Sequence, residues 1–204
     1  MKAVVYLGPK HLEVKDLDLP VIQPDEVLLK VSLIIGAGAI GLLTLEILKA
    51  MGHGPIVVVD KLEEKLKIAQ ALGADEVCFP EELNSAYLMN KFLLKGTNTI
   101  FECVGIEVTR NLSIELINTG GTIMLVGLGH NSSNLPVNSV ICQEITLKGA
   151  YSYTRQDFNK ALYILQAGKI SLKGWTTEVP LAEAEKAFQQ LDKREIVESK
   201  IFLV

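Results

Sequence analysis

Basic residues are lacking where a nucleic-acid partner would need them. The 20 lysines and arginines are scattered among 24 aspartates and glutamates, for a net charge of -4, and no positive block is left to track a phosphate backbone. Long apolar runs are also missing: no stretch reaches the roughly 18–20 residues that cross a bilayer. The apolar part of Met1 to Lys10 is too short for a secretory core, so a cytoplasmic location away from membranes is expected. Cysteine is scarce. Cys78, Cys103 and Cys142 are odd in number, far apart and set in apolar, strand-like runs, which excludes a disulfide framework and predicts reduced, buried thiols. Histidine is as scarce, and His11, His53 and His130 have no Cys or His neighbour at ligand spacing, so no metal site is expected. His53, between Gly52 and Gly54, suits a helix end; His11 and His130 read as surface residues.

What is present is an ordinary globular composition, 49 % hydrophobic over 204 residues, enough for one substantial core. Residues 1–32 alternate apolar and polar positions over Lys2 to Leu7, Leu12 to Leu17 and Glu26 to Val31, which predicts three short antiparallel strands. From Leu33 the pattern changes to apolar runs alternating with helix-length segments. Strands are expected at 33–35, 56–59, 76–79, 99–104, 122–126 and 144–152, and helices at 40–51, 62–72, 108–117 and 156–166. Gly52, Gly73, Gly120 and Gly168 mark helix ends. A βαβαβ series of this kind demands a parallel sheet covered on both faces, an α/β Rossmann architecture. The tail repeats a strand (176–179), a helix with Ala182, Ala184, Ala187, Phe188 and Leu191 as its inner face, and a strand at 200–204. Three units follow: remnant strands at 1–32, a dinucleotide-binding unit at 33–153, and a tail at 154–204 that completes the sheet and packs on the remnant.

The chemistry lies in Gly36-Ala37-Gly38-Ala39-Ile40-Gly41. Gly36 permits the turn out of a strand, Gly38 leaves room for a pyrophosphate, and Gly41 allows close packing of the helix that opens there. The free amides at that helix start favour an anion. Asp60 follows 22 positions after Gly38, at the end of Ile56 to Val59. A carboxylate there accepts the adenosine ribose hydroxyls and repels a 2′-phosphate, so NAD is expected over NADP. Lys61 and Lys65 read either as the adenosine edge of the site or as solvated charges beside Glu63 and Glu64.

From Leu33 onward the chain resembles the medium-chain dehydrogenase family, the zinc-type alcohol and polyol dehydrogenases. The residues that carry the likeness are Ile35 to Gly41, Ala71-Leu72-Gly73-Ala74-Asp75, Ile100-Phe101-Glu102-Cys103-Val104-Gly105, Gly120 to Gly127 and Leu147 to Tyr153. The first 32 residues are similar to the opening strands of that family's GroES-like domain. The resemblance implies that Cys103, Val104 and Gly105 line the cofactor, that Val126 and Gly127 flank the nicotinamide, and that the backbone around Ala150 and Ser152 holds its carboxamide. It also implies a basic residue near Lys200 toward the pyrophosphate, and a homodimer formed by pairing the strand at 144–152, with Ile145 and Leu147 adding apolar contact.

The chain departs from that family between Ser32 and Leu33, where relatives carry most of the catalytic domain and its zinc ligands. Tyr151, Ser152 and Tyr153 do not form a helical Tyr-x-x-x-Lys pair with Lys148 that could replace the metal. Three readings stay open: an NAD-dependent alcohol or polyol dehydrogenase whose catalytic part is not in this chain, a module that binds NAD without turnover, and a deletion product without a function of its own. A small alcohol is a partner only where a catalytic domain is present.

Overall fold

The computed structural model describes residues 31–92, 96–193, 196 and 198–204, together with the backbone of two N-terminal strands, β1 (Lys2–Gly8) and β2 (His11–Asp16). β1 and β2 pair antiparallel, with Lys2 opposite Asp16. The third strand expected at 26–31 lies outside the described residues except for Val31.

The chain then runs β3 (Ser32–Ile35), α1 (Ala39–Ala50), β4 (Ile56–Val59), α2 (Glu63–Ala71), β5 (Glu76–Cys78), α3 (Ser85–Phe92), β6 (Thr97–Glu102), α4 (Glu107–Leu116), β7 (Ile117–Leu125), α5 (Val137–Cys142), β8 (Thr146–Gly149) and α6 (Arg155–Gln166). The six strands β3 to β8 form one sheet in the order β5-β4-β3-β6-β7-β8, all parallel. The expected α/β doubly wound architecture is what the backbone adopts.

The two-residue period of the strands divides the core into two layers. Leu33, Ile35, Val57, Val59, Ile100 and Ile123 face one side of the sheet, where Leu88, Ile114 and Leu116 cover them. Ile34, Ile56 and Val58 face the other, against Leu42, Leu45 and Leu48 of α1, Ala69 of α2 and Trp175. β3 and β4 are buried at every position, which is why they read as unbroken apolar runs.

Several elements differ from the sequence expectation. α3 and α5 were not expected; both are short, and neither carries a long amphipathic repeat. α5 places Cys142 on a helix and exposes it, while Cys78 is buried and Cys103 half-buried; all three thiols are free. Gly120 lies inside β7 at φ +73 instead of ending a helix. The strand expected at 144–152 shrinks to Thr146–Gly149, because Glu144 (φ 53) and Ser152 (φ 56) take left-handed backbone on either side.

The tail holds β9 (Thr176–Val179), a 3₁₀ turn at Leu181–Glu183, α7 (Ala184–Asp192) and β10 (Lys200–Leu203). β9 and β10 pair in parallel with each other as a separate two-stranded sheet and do not extend the six-stranded one. The lead into β9 is anchored by Trp175, whose ring is buried among α1 residues and whose Nε1 donates to Ser171 O at 2.9 Å. Beside it the Ser171 amide donates to Glu46 Oε1 at 2.6 Å. Of the five residues expected to form the inner face of α7, Ala187 alone is buried; Phe188 is 65 % exposed and Leu191 41 %. The expected inner face is thus buried only at Ala187, while Phe188 and Leu191 line a groove with Ile201 and Leu203. No helix of the described residues is long and apolar enough to cross a membrane.

Candidate functional site

The sheet order reverses direction between β3 and β6, and the crevice at the carboxyl ends of those two strands is where doubly wound sheets take their ligands. The glycine loop sits there. Gly36 leaves β3 at φ +100, a left-handed conformation that L side chains rarely adopt, and a Cβ on it would stand 2.7 Å from Val104 Cγ2. A Cβ on Gly41 would run into the Gly36 carbonyl oxygen. Those two glycines are therefore demanded by packing. Gly38 is different: it is exposed, and a Cβ on it would meet nothing within 4 Å.

Gly38 caps α1, and no side chain caps that helix start. Its carbonyl accepts from Leu42 at 2.9 Å, so the amides of Ala39, Ile40 and Gly41 belong to the first turn and have no carbonyl of their own helix to bond. Donors and the positive end of the helix dipole face the space above Gly38. An anion fits that cradle.

Asp60 ends β4 beside the loop. Its Oδ2 accepts from the Ala37 amide at 2.8 Å and its Oδ1 from the Leu62 amide at 3.0 Å. Each carboxylate oxygen keeps further acceptor capacity. Next to it opens a cavity of about 250 Å³ lined by Ile35, Gly36, Val59, Asp60, Lys61, Pro80, Val104, Ile106, Val108, Thr109 and Leu112. The lining is apolar apart from Asp60, Lys61 and Thr109, a slot that suits a flat ring with the carboxylate at its rim.

The two lysines separate. Lys61 is exposed at the rim of that cavity. Lys65 is half-buried and its Nζ donates to Ser199 Oγ at 2.8 Å; burial lowers its pKa, against the opposing pull of Asp60 and Glu198. A second cavity, about 470 Å³, joins Gly38 to Leu62, Glu64, Lys65, Leu191, Ile196, Glu198 and Ser199. Lys200 does not line it. Its neighbours are Phe188, Leu191 and Ile201 in a groove on the tail.

On the other side of the crevice, the turn after β6 and the turn after β7 are in backbone contact. A Cβ on Gly105 (φ +85) would overlap the Gly127 carbonyl and the Gly129 amide, and one on Gly127 would overlap the Gly105 amide. The amides of Val126 and Gly127 both donate to Glu102 O at 2.9 Å. The Glu102 side chain is fully buried, and its Oε1 accepts from the amides of Val104 (3.0 Å) and Gly105 (2.7 Å) and from Thr109 Oγ1 (2.8 Å). It shapes the turn that carries Cys103, Val104 and Gly105. In the sequence the signal for Glu102 is an ionisable residue inside an apolar strand run. Burial, followed by the charge of Glu102, pushes the Cys103 thiol up to about 12, which disfavours the thiolate.

Ala150 continues β8, its amide donating to Leu125 O at 3.0 Å, and both it and Ser152 are exposed. Ile145, expected to lie on an association face, is instead in the core at 7 % exposure, packed with the layer that contains Ile123. His130 is exposed but not idle: its amide donates to Gly105 O at 2.7 Å, and its Nδ1 accepts from the Glu107 amide at 3.4 Å. The helix side of this contact, and Arg110 within it, were not foreseen from sequence. A zinc ion calls for about three converging nitrogen, sulfur or oxygen donors. Among the described residues no group of three His, Cys, Asp or Glu side chains is so placed.

Comparison with known proteins agrees with this geometry. The chain is 30 % identical over 163 residues to the D-xylulose reductase of Saccharomyces cerevisiae, covering 77 % of this chain and 46 % of that protein. It is 32 % identical over 167 residues to the sorbitol dehydrogenase of Ovis aries, covering 79 % and 46 %. The L-idonate 5-dehydrogenase structure from Escherichia coli superposes with a TM-score of 0.77 at 27 % identity, over 86 % of this chain and 50 % of that one. The chain thus spans about half the length of these relatives. Residues 39–167 match the family described as zinc-binding dehydrogenase, and with the switch-point crevice, the glycine loop and Asp60 in place, the chain belongs to that family of alcohol and polyol dehydrogenases.

Proposed function

We propose that this chain binds NAD and forms the cofactor-holding part of an alcohol or polyol dehydrogenase, a protein that passes a hydride between an alcohol and NAD. The observation that carries the reading is the open space over Gly38, bounded by the first-turn amides of α1 and flanked by Asp60. A pyrophosphate takes that space, held by the amides of Ala39, Ile40 and Gly41. Asp60 accepts the adenosine ribose hydroxyls and repels a 2′-phosphate, which sets NAD above NADP. The adenine enters the apolar slot beside Val104 and Ile106, with Lys61 at its rim and Lys65 behind, next to Ser199.

In the second half of the crevice, Cys103, Val104 and Gly105 line the cofactor. Val126 and Gly127 flank the nicotinamide, and the backbone at Ala150 and Ser152 holds its carboxamide. When bound, NAD supplies the hydride acceptor. The names of the relatives, D-xylulose reductase and sorbitol dehydrogenase, favour a polyol as the alcohol. Zinc is expected from the family, and its ligands would have to come from outside the described residues.

Three free thiols fit a reducing compartment, and we assign the chain to the cytoplasm. β8 is exposed along its length at the edge of the sheet; its unpaired backbone groups suit two-fold pairing in a homodimer.

Calorimetric titration with NADH and NADPH tests the reading. NADH binding with a clear preference over NADPH is expected, and equal affinity for both overturns the specificity assignment. Following NADH production with polyols then separates a dehydrogenase from the second reading, a module that binds NAD without turnover.

A further inference from the structure

We propose that Arg110 is a positioning residue for the nicotinamide half of the dinucleotide, acting through the loop that follows β7; this rests on the NAD reading above. Arg110 lies on the first turns of α4, and its guanidinium reaches across to three residues of one loop. Nη1 donates to Ser133 Oγ at 2.8 Å and to His130 O at 3.2 Å, and Nη2 donates to Gly127 O at 3.3 Å. A planar fork of fixed donors can hold three acceptors in a set arrangement, which a single ammonium cannot.

The same helix adds two ties, from Glu107 one turn before Arg110 and from its neighbour Asn111. Glu107 Oε2 accepts from the Asn134 amide at 2.8 Å, and Asn111 Nδ2 donates to Asn134 O at 3.1 Å. The loop also has backbone bonds at two points, from the Gly127 amide to Glu102 O at 2.9 Å and from the His130 amide to Gly105 O at 2.7 Å. Residues 128–132 are exposed, belong to no helix or strand, and bury no apolar side chain. Polar ties, most of the side-chain ones to α4, therefore set where this loop lies.

That position matters because the loop begins at Gly127, whose backbone is pressed against Gly105. In a doubly wound sheet the first βαβ half takes one nucleotide and the second half, here β6 to β8, takes the other. Arg110 thus fixes the wall of the second half; α4 also lends Val108, Thr109 and Leu112 to the adenine slot, but Arg110 does not line that slot and its guanidinium bonds to Gly127, His130 and Ser133.

The discriminating experiment compares NADH with AMP, which fills only the adenosine half. Both are titrated calorimetrically into the full chain as wild type, Arg110→Lys and Ser133→Ala. NADH affinity should fall on the order of tenfold in Arg110→Lys and about threefold in Ser133→Ala, with AMP affinity unchanged in both. Equal losses for NADH and AMP, or no loss for NADH, overturn the proposal. Ser133→Ala removes one loop contact and leaves α4 intact, so it keeps the test decisive if the lysine variant does not fold. A wild-type chain that binds neither ligand overturns the NAD reading itself.

Discussion

The Ala37 amide donates to Asp60 Oδ2 at 2.8 Å, tying the glycine loop to the end of the next strand across 23 positions. Asp60 therefore both supports the loop and offers its charge to a ligand. Asp60→Ser should narrow the preference for NADH over NADPH and also lower stability, by about 1–2 kcal/mol for a charge-assisted bond that is partly exposed. Asp60→Asn keeps an oxygen for the Ala37 amide and loses the charge. It should narrow the preference with a smaller loss of stability. Paired calorimetric titrations and melting curves separate the two roles, and equal stability losses in both variants would contradict the support role.

Gly38 and Gly41 should respond oppositely to alanine. Gly41→Ala drives a methyl into the Gly36 carbonyl and should cost about 2–4 kcal/mol of stability. Gly38→Ala meets nothing within 4 Å and has φ -75, so stability should stay within about 0.5 kcal/mol. NADH affinity should nevertheless fall, because the methyl occupies the pyrophosphate space. Denaturant titration and calorimetry on the two proteins check both halves of the contrast.

Glu46 gives a pH dependence whose sign is set by burial. Desolvation raises its pKa above 4.5, opposed by the hydrogen bond from the Ser171 amide. A carboxyl raised in the folded state contributes stability that is fully present below its unfolded pKa and lost as pH rises through the folded one. Glu46→Gln keeps an acceptor for the Ser171 amide and cannot ionise. Its stability relative to wild type should therefore improve as pH rises from 4.5 toward neutrality. Urea unfolding followed by fluorescence of Trp175, the chain's one tryptophan, reads this directly, and a difference that does not vary with pH would refute it.

Association through the sheet edge is expected to give a dimer at micromolar concentration. Leu147, 37 % exposed on β8, lies on that edge, and Leu147→Lys should shift the protein to monomer by placing like charges face to face. Sedimentation velocity on both proteins decides it. A monomeric wild type removes the dimer from the proposed function.

Features that depend on neighbouring residues were legible in the chain. Apolar runs at 33–35 and 56–59, buried on both faces, announced parallel strands, and the glycine spacing after Ile35 announced the loop and the helix behind it. Short elements escaped because they carry too few residues for a period to show, as with Val137–Cys142, or because a left-handed residue interrupts the run, as Glu144 and Ser152 do around β8. The remaining features arise from contacts between distant segments. Asp60 bonds Ala37, Glu102 gathers two amides and Thr109, and Arg110 clasps a loop about 20 positions away. Such contacts follow from which strands lie side by side and at what register, and no local pattern encodes them. The same holds for Ile145, placed in the core, and for Phe188, whose apolar face was legible but whose exposure depended on what lies against it.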